Sequence, residues 1–382
     1  MLGLVLSGGG ARGAYEAGVL RYVFDVLGPA LGREITPRII CGTSIGALTG
    51  AWVGALGRVG AVALAKAWQE MEVDHVYHLR MRDLVSWRDP WFYQRTPVGE
   101  GQALFDPTPL YQRVRDDLPW SVLHERIDRH DLRAMVVSTT DVMTGRCIHF
   151  TDGPILPYER PNTVLRPERI QAVHCLASAA IPLVFPAVNI QGRYYVDGSL
   201  RQNTPLLPAI LLGADKVLVV GVKRSASSNT QQAEVRAPNQ SPTPFFLAGK
   251  AIDALLLDDI EDDLRQVQSV NKLLRWGQTA FPDFLGRLER EHRPYRVVDT
   301  GYVRPSEDLG RIAAACFEQN RAHLPFATRT FLSFIHNREA DDNSDLLSYL
   351  FFHKSFTAEI EALGFADAKR DEEALARLVG GV

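Results

Sequence analysis

The chain has 382 residues, 46% of them apolar and 23% charged, with a formal net charge of -3, as in a globular protein large enough for one big domain with additions or for two. So small a charge gives neither a basic field for nucleic acid nor an acidic solvating tail, which excludes nucleic acid as the expected partner. The four cysteines never form C-x-x-C, so neither a zinc site nor a disulfide framework is indicated and a reducing compartment is the default.

Residues 2–6 (LGLVL) predict a short buried strand, and Ala14 to Leu27 carries apolar residues at helical spacing. The glycines of LVLSGGGARGAYEAGVL therefore fall in a strand-to-helix turn. The opening apolar run is too short for a secretory signal and no basic residue precedes it. A second unit follows, with a strand over Arg38–Cys41, a turn over Gly42–Gly46 and a small-residue helix over Ala47–Leu56. Two β-turn-α units in succession open a parallel sheet. Further buried strands are predicted at Ala134–Thr139, Tyr194–Val196 and Lys216–Val222.

Residues 75 to 105, dense in aromatics and arginines, read as surface loops. The longest apolar stretch, from Pro205, is broken by Asp215 and Lys216, so no transmembrane segment is expected. From Arg224 the chain turns polar and rich in Ser, Gln and Pro, the composition of a flexible linker. Ile252, Leu256, Ile260, Leu264, Val267 and Leu274 then fall near a 3.6-residue period opposite the acidic DDIEDDLRQ, which predicts an amphipathic helix in a mostly helical C-terminal third. The expected organisation is a domain over 1–222, a linker over 223–244 and a mainly helical region over 245–382.

Gly8, Gly10 and Gly13 satisfy G-x-G-x-x-G, the spacing of a dinucleotide-binding turn. That fold wants an acidic residue at the end of the second strand for the ribose hydroxyl, and the strand end here is Cys41-Gly42-Thr43-Ser44. Gly42, Ser44 and Gly46 instead form G-x-S-x-G between a strand and a helix, the setting of a nucleophile elbow. Ser44 is thus a candidate nucleophile, the plainer alternative being a helix cap. Backbone N–H groups of Gly8, Gly9 and Gly10 on the adjacent strand end could then stabilise an oxyanion. For a base, His292, His323, His336 and His353 all lie in helical or charged segments, whereas Asp197 in YYVDGSL closes a short strand at a tight turn. By itself Asp-Gly is a hairpin signal.

In order, GGGARG at 8–13, GTSIG at 42–46, ASAAIPLVFPAV at 177–188 and DGS at 197–199 closely resemble the patatin-like phospholipases over residues 2–222. The resemblance implies an α/β, three-layer fold with a central, mostly parallel sheet and a helical C-terminal extension. It implies a serine acyl hydrolase of phospholipids or lysophospholipids, with Ser44 as nucleophile, Asp197 as base and Gly8, Gly9 and Gly10 as oxyanion hole. Arg12 would hold the glycine turn or bind a lipid phosphate. No metal or cofactor is implied. The substrate would be a lipid or membrane surface, met by a cytoplasmic protein able to work at the membrane periphery. Trp87, Trp91, Phe92 and Tyr93, flanked by Arg82, Arg88 and Arg95, could form a lid or interfacial patch. The family usually has glycine or alanine where Ser199 stands, and a hydroxyl there can hydrogen-bond Asp197 and lower its basicity. The same dyad could serve an acyltransferase or thioesterase, and a non-catalytic scaffold using the C-terminal helices is the reading from another class.

Overall fold

The computed structural model describes residues 1–78, 93–96, 99–103, 105–155, 158–224, 260–281, 283–291, 295–336 and 345–380, the backbone alone over 93–96 and 99–102. Trp87, Trp91, Phe92, Arg82, Arg88, His292, Ile252, Leu256 and the expected linker from 225 onward lie outside these residues, as do the side chains of Tyr93 and Arg95.

In chain order the strands are β1 (Leu2–Leu6), β2 (Ile39–Thr43), β3 (Tyr93–Thr96), β4 (Gly99–Gln102), β5 (Ala134–Asp141), β6 (Cys147–Asp152), β7 (Tyr158–Arg160), β8 (Thr163–Pro167), β9 (Val188–Ile190), β10 (Arg193–Asp197), β11 (Lys216–Val220) and β12 (Asp299–Val303). β3 and β4 form a hairpin of their own, and the other ten make one sheet in the order β12-β11-β1-β2-β5-β6-β8-β7, with β10 pairing with β5 beside this path and β9 with β10. From β12 to β5 all neighbours are parallel. The continuous apolar runs of β1 and β11 suit this centre, because a parallel sheet is covered on both faces. Leu4, Leu6, Ile40, Met135, Leu218 and Val220 face one apolar core. Their alternates Val5, Ile39, Cys41, Val136, Val217 and Val219 face the other.

The helices that shape the site are α1 (Gly13–Arg21), α2 (Ile45–Gln69), α3 (Thr108–Asp116), α4 (Ala172–Ser178), α5 (Ile260–Ala280), α6 (Asp345–Leu350) and α7 (Lys354–Arg370). A wider π turn over Tyr22–Leu27 prolongs α1 to the expected end of its apolar pattern. α2 runs well past the expected Leu56, bending at Gly57 (φ 55°, ψ -130°). By length and composition α2 alone among the described helices could cross a membrane, yet half of that apolar window is buried inside the fold.

The C-terminal region is helical as expected, and it also contributes β12, which pairs in parallel with β11. Residues on both sides of the expected linker therefore share one sheet. α7 crosses α1 closely enough that a Cβ on Gly18 would collide with the Glu361 carbonyl, and one on Gly364 with the Tyr15 carbonyl. Beside this contact Tyr15 Oη donates to Asp367 Oδ2 (3.0 Å) and Arg21 Nε to Glu361 Oε1 (2.7 Å).

Candidate active site

Ser44 ends β2 and opens α2 with φ 53° and ψ -124°, in the left-handed region that a residue with a Cβ seldom occupies. Its neighbours enforce the strain. A Cβ on Gly42 would strike the Gly46 carbonyl, and one on Gly46 would lie 2.6 Å from the carbonyl oxygens of Leu6 and Ser7. Only glycine at both places lets the turn close against β1. The Ser44 N–H donates to Ser178 Oγ (2.7 Å), and that hydroxyl donates to the Ser138 carbonyl (2.6 Å). Ser178, at the end of α4, is a support to which sequence reasoning gave no role, although it lies inside the ASAAIP motif.

One strand carries both halves of the expected dyad. β2 pairs with β5 up to Thr43 opposite Ser138, and β10 takes over the same edge of β5 with Asp197 opposite Thr139. Ser44 and Asp197 thus meet at adjacent rungs although 153 positions separate them in the chain. The Asp197 backbone is fixed on both sides, its N–H donating to the Ala180 carbonyl (2.9 Å) and its carbonyl accepting from Thr140 Oγ1 (3.0 Å). Oδ1 accepts the Ser199 N–H (2.8 Å), while Oδ2 is buried and makes no hydrogen bond of ordinary geometry.

Burial pushes the Asp197 carboxyl up to about 6, opposed by the Ser199 N–H, the nearby Ser44 hydroxyl and the Ser199 hydroxyl. A carboxylate in that range is a usable base near neutral pH, which one left at its ordinary value is not. Of the described late histidines, His336 faces Glu318, His353 faces Glu72 and Ser355, and His323 is exposed.

The glycine turn sits against this pair. Gly8 donates its N–H to the Asn203 carbonyl (3.1 Å), and a Cβ there would collide with Ser199 Oγ and Asn203 Oδ1 and lie 3.1 Å from Ser44 Cβ. The N–H groups of Gly9 and Gly10 have no acceptor among the described residues. Gly10 has φ +55°, and on its Cβ side the space is filled by the Tyr349 carbonyl of α6. A pyrophosphate would have to displace that carbonyl, which weighs against the dinucleotide reading.

Ser44 and Gly10 open onto a cavity of about 170 Å³ lined by Ile45, Leu48, Trp52, Leu64, Trp68 and further apolar side chains. An acyl chain is the kind of group such walls accept. Among the described residues no three or more His, Cys, Asp or Glu side chains converge as a metal site would need.

Residues 4–210, more than half of the chain, match the family model described as Patatin-like phospholipase. The chain belongs to the patatin-like phospholipase family. Membership places this patatin-like protein among the lipid acyl hydrolases. It is also similar to the crystal structure of VipD from Legionella pneumophila, at 12% identity over 93% of this chain and 91% of that one. The TM-score of 0.29 lets that likeness carry no argument.

Two further contacts of this patatin-like chain bear on the sequence expectations for Arg12 and Ser199. Arg12 is buried, with Nε donating to Ser348 Oγ (2.7 Å) and the guanidinium over the Tyr349 ring at 4.4 Å. It ties the glycine turn to α6 and does not line the cavity. Ser199 gives its hydroxyl to Asn203 Oδ1 (2.8 Å). As Asn203 also holds Gly8, the chain Asp197–Ser199–Asn203–Gly8 links the aspartate turn to the glycine turn.

Proposed function

We propose that Ser44 and Asp197 are the catalytic dyad of an acyl hydrolase acting on phospholipids or lysophospholipids. The observation that carries this reading is the shared edge of β5, which sets a strained serine beside a buried carboxylate at the mouth of an apolar cavity.

With its chain in the cavity, the ester carbonyl carbon is attacked by Ser44 Oγ as Asp197 Oδ2 takes the hydroxyl proton. Negative charge gathers on the carbonyl oxygen, where the uncommitted N–H groups of Gly9 and Gly10 are the donors, each worth roughly a hundredfold or more in rate. Gly8 shapes this hole rather than donating into it, since its own N–H is spent on Asn203. Collapse of the tetrahedral intermediate breaks the ester C–O bond, and the proton on Asp197 passes to the departing alkoxide. Water, deprotonated by the same carboxylate, then attacks the acyl-serine; the Ser44 Oγ–C bond breaks, the proton passes from Asp197 to Ser44 Oγ, and the fatty acid is released. The four cysteines are all free, which fits work in a reducing cytoplasm at a lipid surface.

The test is covalent labelling of the purified protein with a fluorophosphonate, which captures activated serines. Wild type should label, while Ser44→Ala and Asp197→Asn should not. Labelling that survives in folded Ser44→Ala refutes the assignment.

A further inference from the structure

The strand pair that carries Asp197 runs on past it. Asp197 lies opposite Thr139 and Tyr195 opposite Asp141, and one rung further the Val142 N–H donates to the Tyr194 carbonyl (3.0 Å). Thr139 to Val142 spans about 10 Å of extended strand. Because β1, β2 and β5 are parallel, this tip stands at the sheet edge where Gly8 and Ser44 also lie.

The tip is apolar and exposed. Met143 is 84% exposed, Val142 47% and Tyr194 40%, and Val142 and Tyr194, opposite each other in an antiparallel pair, share a face. Met143 is held out on a fixed turn. Asp141 Oδ1 accepts the N–H groups of both Met143 and Thr144 (2.9 Å each), and the Asp141 carbonyl accepts that of Gly145 (2.8 Å), whose φ is +65°. An apolar side chain kept in water adds nothing to the core, so the fold does not account for Met143.

Cations surround the tip. The Arg201 guanidinium packs at Gly145, its Nη2 3.0 Å from where a Cβ would stand. Arg193 pairs with Asp141 at 3.2 Å and Arg146 with Glu159 at 2.9 Å, whereas Arg201 has no ion pair among the described residues. Arg146 also donates to the Arg160 carbonyl (2.7 Å). Around the turn the arginines thus outnumber Asp141 and Glu159, in a chain whose net charge is -3.

We propose that Val142, Met143 and Tyr194, with Arg201 beside them, dock the protein on an anionic phospholipid surface. This rests on the acyl-hydrolase reading above. Apolar side chains enter the acyl boundary, while arginine stems lie along it and their guanidinium groups meet lipid phosphates. A tip sunk about 5–10 Å into the headgroup and acyl boundary, as interfacial apolar faces are, sets Asp197 near the level of the lipid esters.

The full chain is sedimented with phosphatidylcholine vesicles, with and without phosphatidylglycerol, while hydrolysis of p-nitrophenyl butyrate, which needs no surface, is followed in parallel. Wild type should bind the phosphatidylglycerol vesicles more tightly and lose that excess in about 1 M salt, where the screening length falls to about 3 Å. Met143→Ser should weaken binding about tenfold and Arg201→Gln about fivefold, both with the butyrate rate unchanged. Val59→Ser, which removes a side chain of comparable exposure (69%) beyond the bend of α2, is the control and should bind as wild type does. If Met143→Ser and Arg201→Gln bind as wild type does, or if Val59→Ser weakens binding as much as they do, the docking proposal falls and the dyad stands. A dimer in light scattering that Met143→Ser breaks would mean that the tip seats a second copy of this chain, and would equally overturn it. Wild type that neither hydrolyses butyrate nor labels with fluorophosphonate overturns the acyl-hydrolase reading on which the docking rests.

Discussion

Replacing Asp197 by asparagine should abolish catalysis and at the same time stabilise the protein, the second effect only where Asp197 is ionised. A carboxyl whose value in the fold lies above its unfolded value binds its proton more tightly when folded. Its favourable contribution is therefore complete below 3.8 and is lost as pH rises through about 6. By linkage a carboxyl moved from 3.8 to about 6 costs the fold about 3 kcal/mol once ionised. Asparagine cannot ionise, and its oxygen can still accept the Ser199 N–H. Its amide N–H₂ group would stand where Oδ2 has no partner, a penalty of about 1–3 kcal/mol that does not vary with pH. The decisive quantity is therefore the stability difference between variant and wild type from urea unfolding, measured at about pH 4 and at about pH 8. That difference should favour the variant by about 2 kcal/mol more at the higher pH. A difference that does not move with pH would mean that burial does not perturb Asp197, and the account of its basicity would fail.

The same carboxyl predicts an acid limb in kcat/KM, with activity rising as pH passes about 6 and Asp197 becomes able to accept a proton. Ser199→Ala removes a hydroxyl that helps hold Asp197 down, so the limb should move to higher pH, at a stability cost of about 1 kcal/mol from the lost bond to Asn203. Gly8→Ala drives a methyl into Ser199 and Asn203, and kcat on p-nitrophenyl butyrate should fall about a hundredfold, the effect of disturbing one oxyanion donor. Gly364→Ala forces α7 away from α1 and should cost about 1–3 kcal/mol as overpacking does. Gly380→Ala, which meets nothing within 4 Å, is the control for thermal unfolding.

The features legible in the sequence are those written in a few adjacent residues. The run LGLVL, the glycines around Ser44 and the aspartate at the end of YYVDGSL each announce a local geometry, and β1, β2 and β10 occur where those signals place them. What could not be read depends on partners far away in the chain. Nothing near Ser178 says that its hydroxyl will hold a backbone N–H 134 residues earlier. Arg12 could be placed beside the glycine turn, but that it faces inward to Ser348 and Tyr349 is decided 336 residues later. β12 escaped because DTGYV contains a single buried residue, Val303, and gains its place by pairing with β11.

The close crossing of α1 and α7 bears on how the protein is made. The glycine turn and α1 leave the ribosome early, yet Tyr349 and Ser348, which pack on the turn, and Gly364, which packs on α1, follow roughly 300 residues later, tens of seconds at about 5–20 residues per second. Until α6 and α7 emerge, α1 has no second face to pack on, and the turn at Gly10 lacks the carbonyl that covers it. A nascent or truncated chain would thus carry Ser44 and Asp197 without the contacts of α6 and α7 on the glycine turn and α1. The glycine turn and α1 are thus held in place by residues that reach them only after the whole sheet has been made.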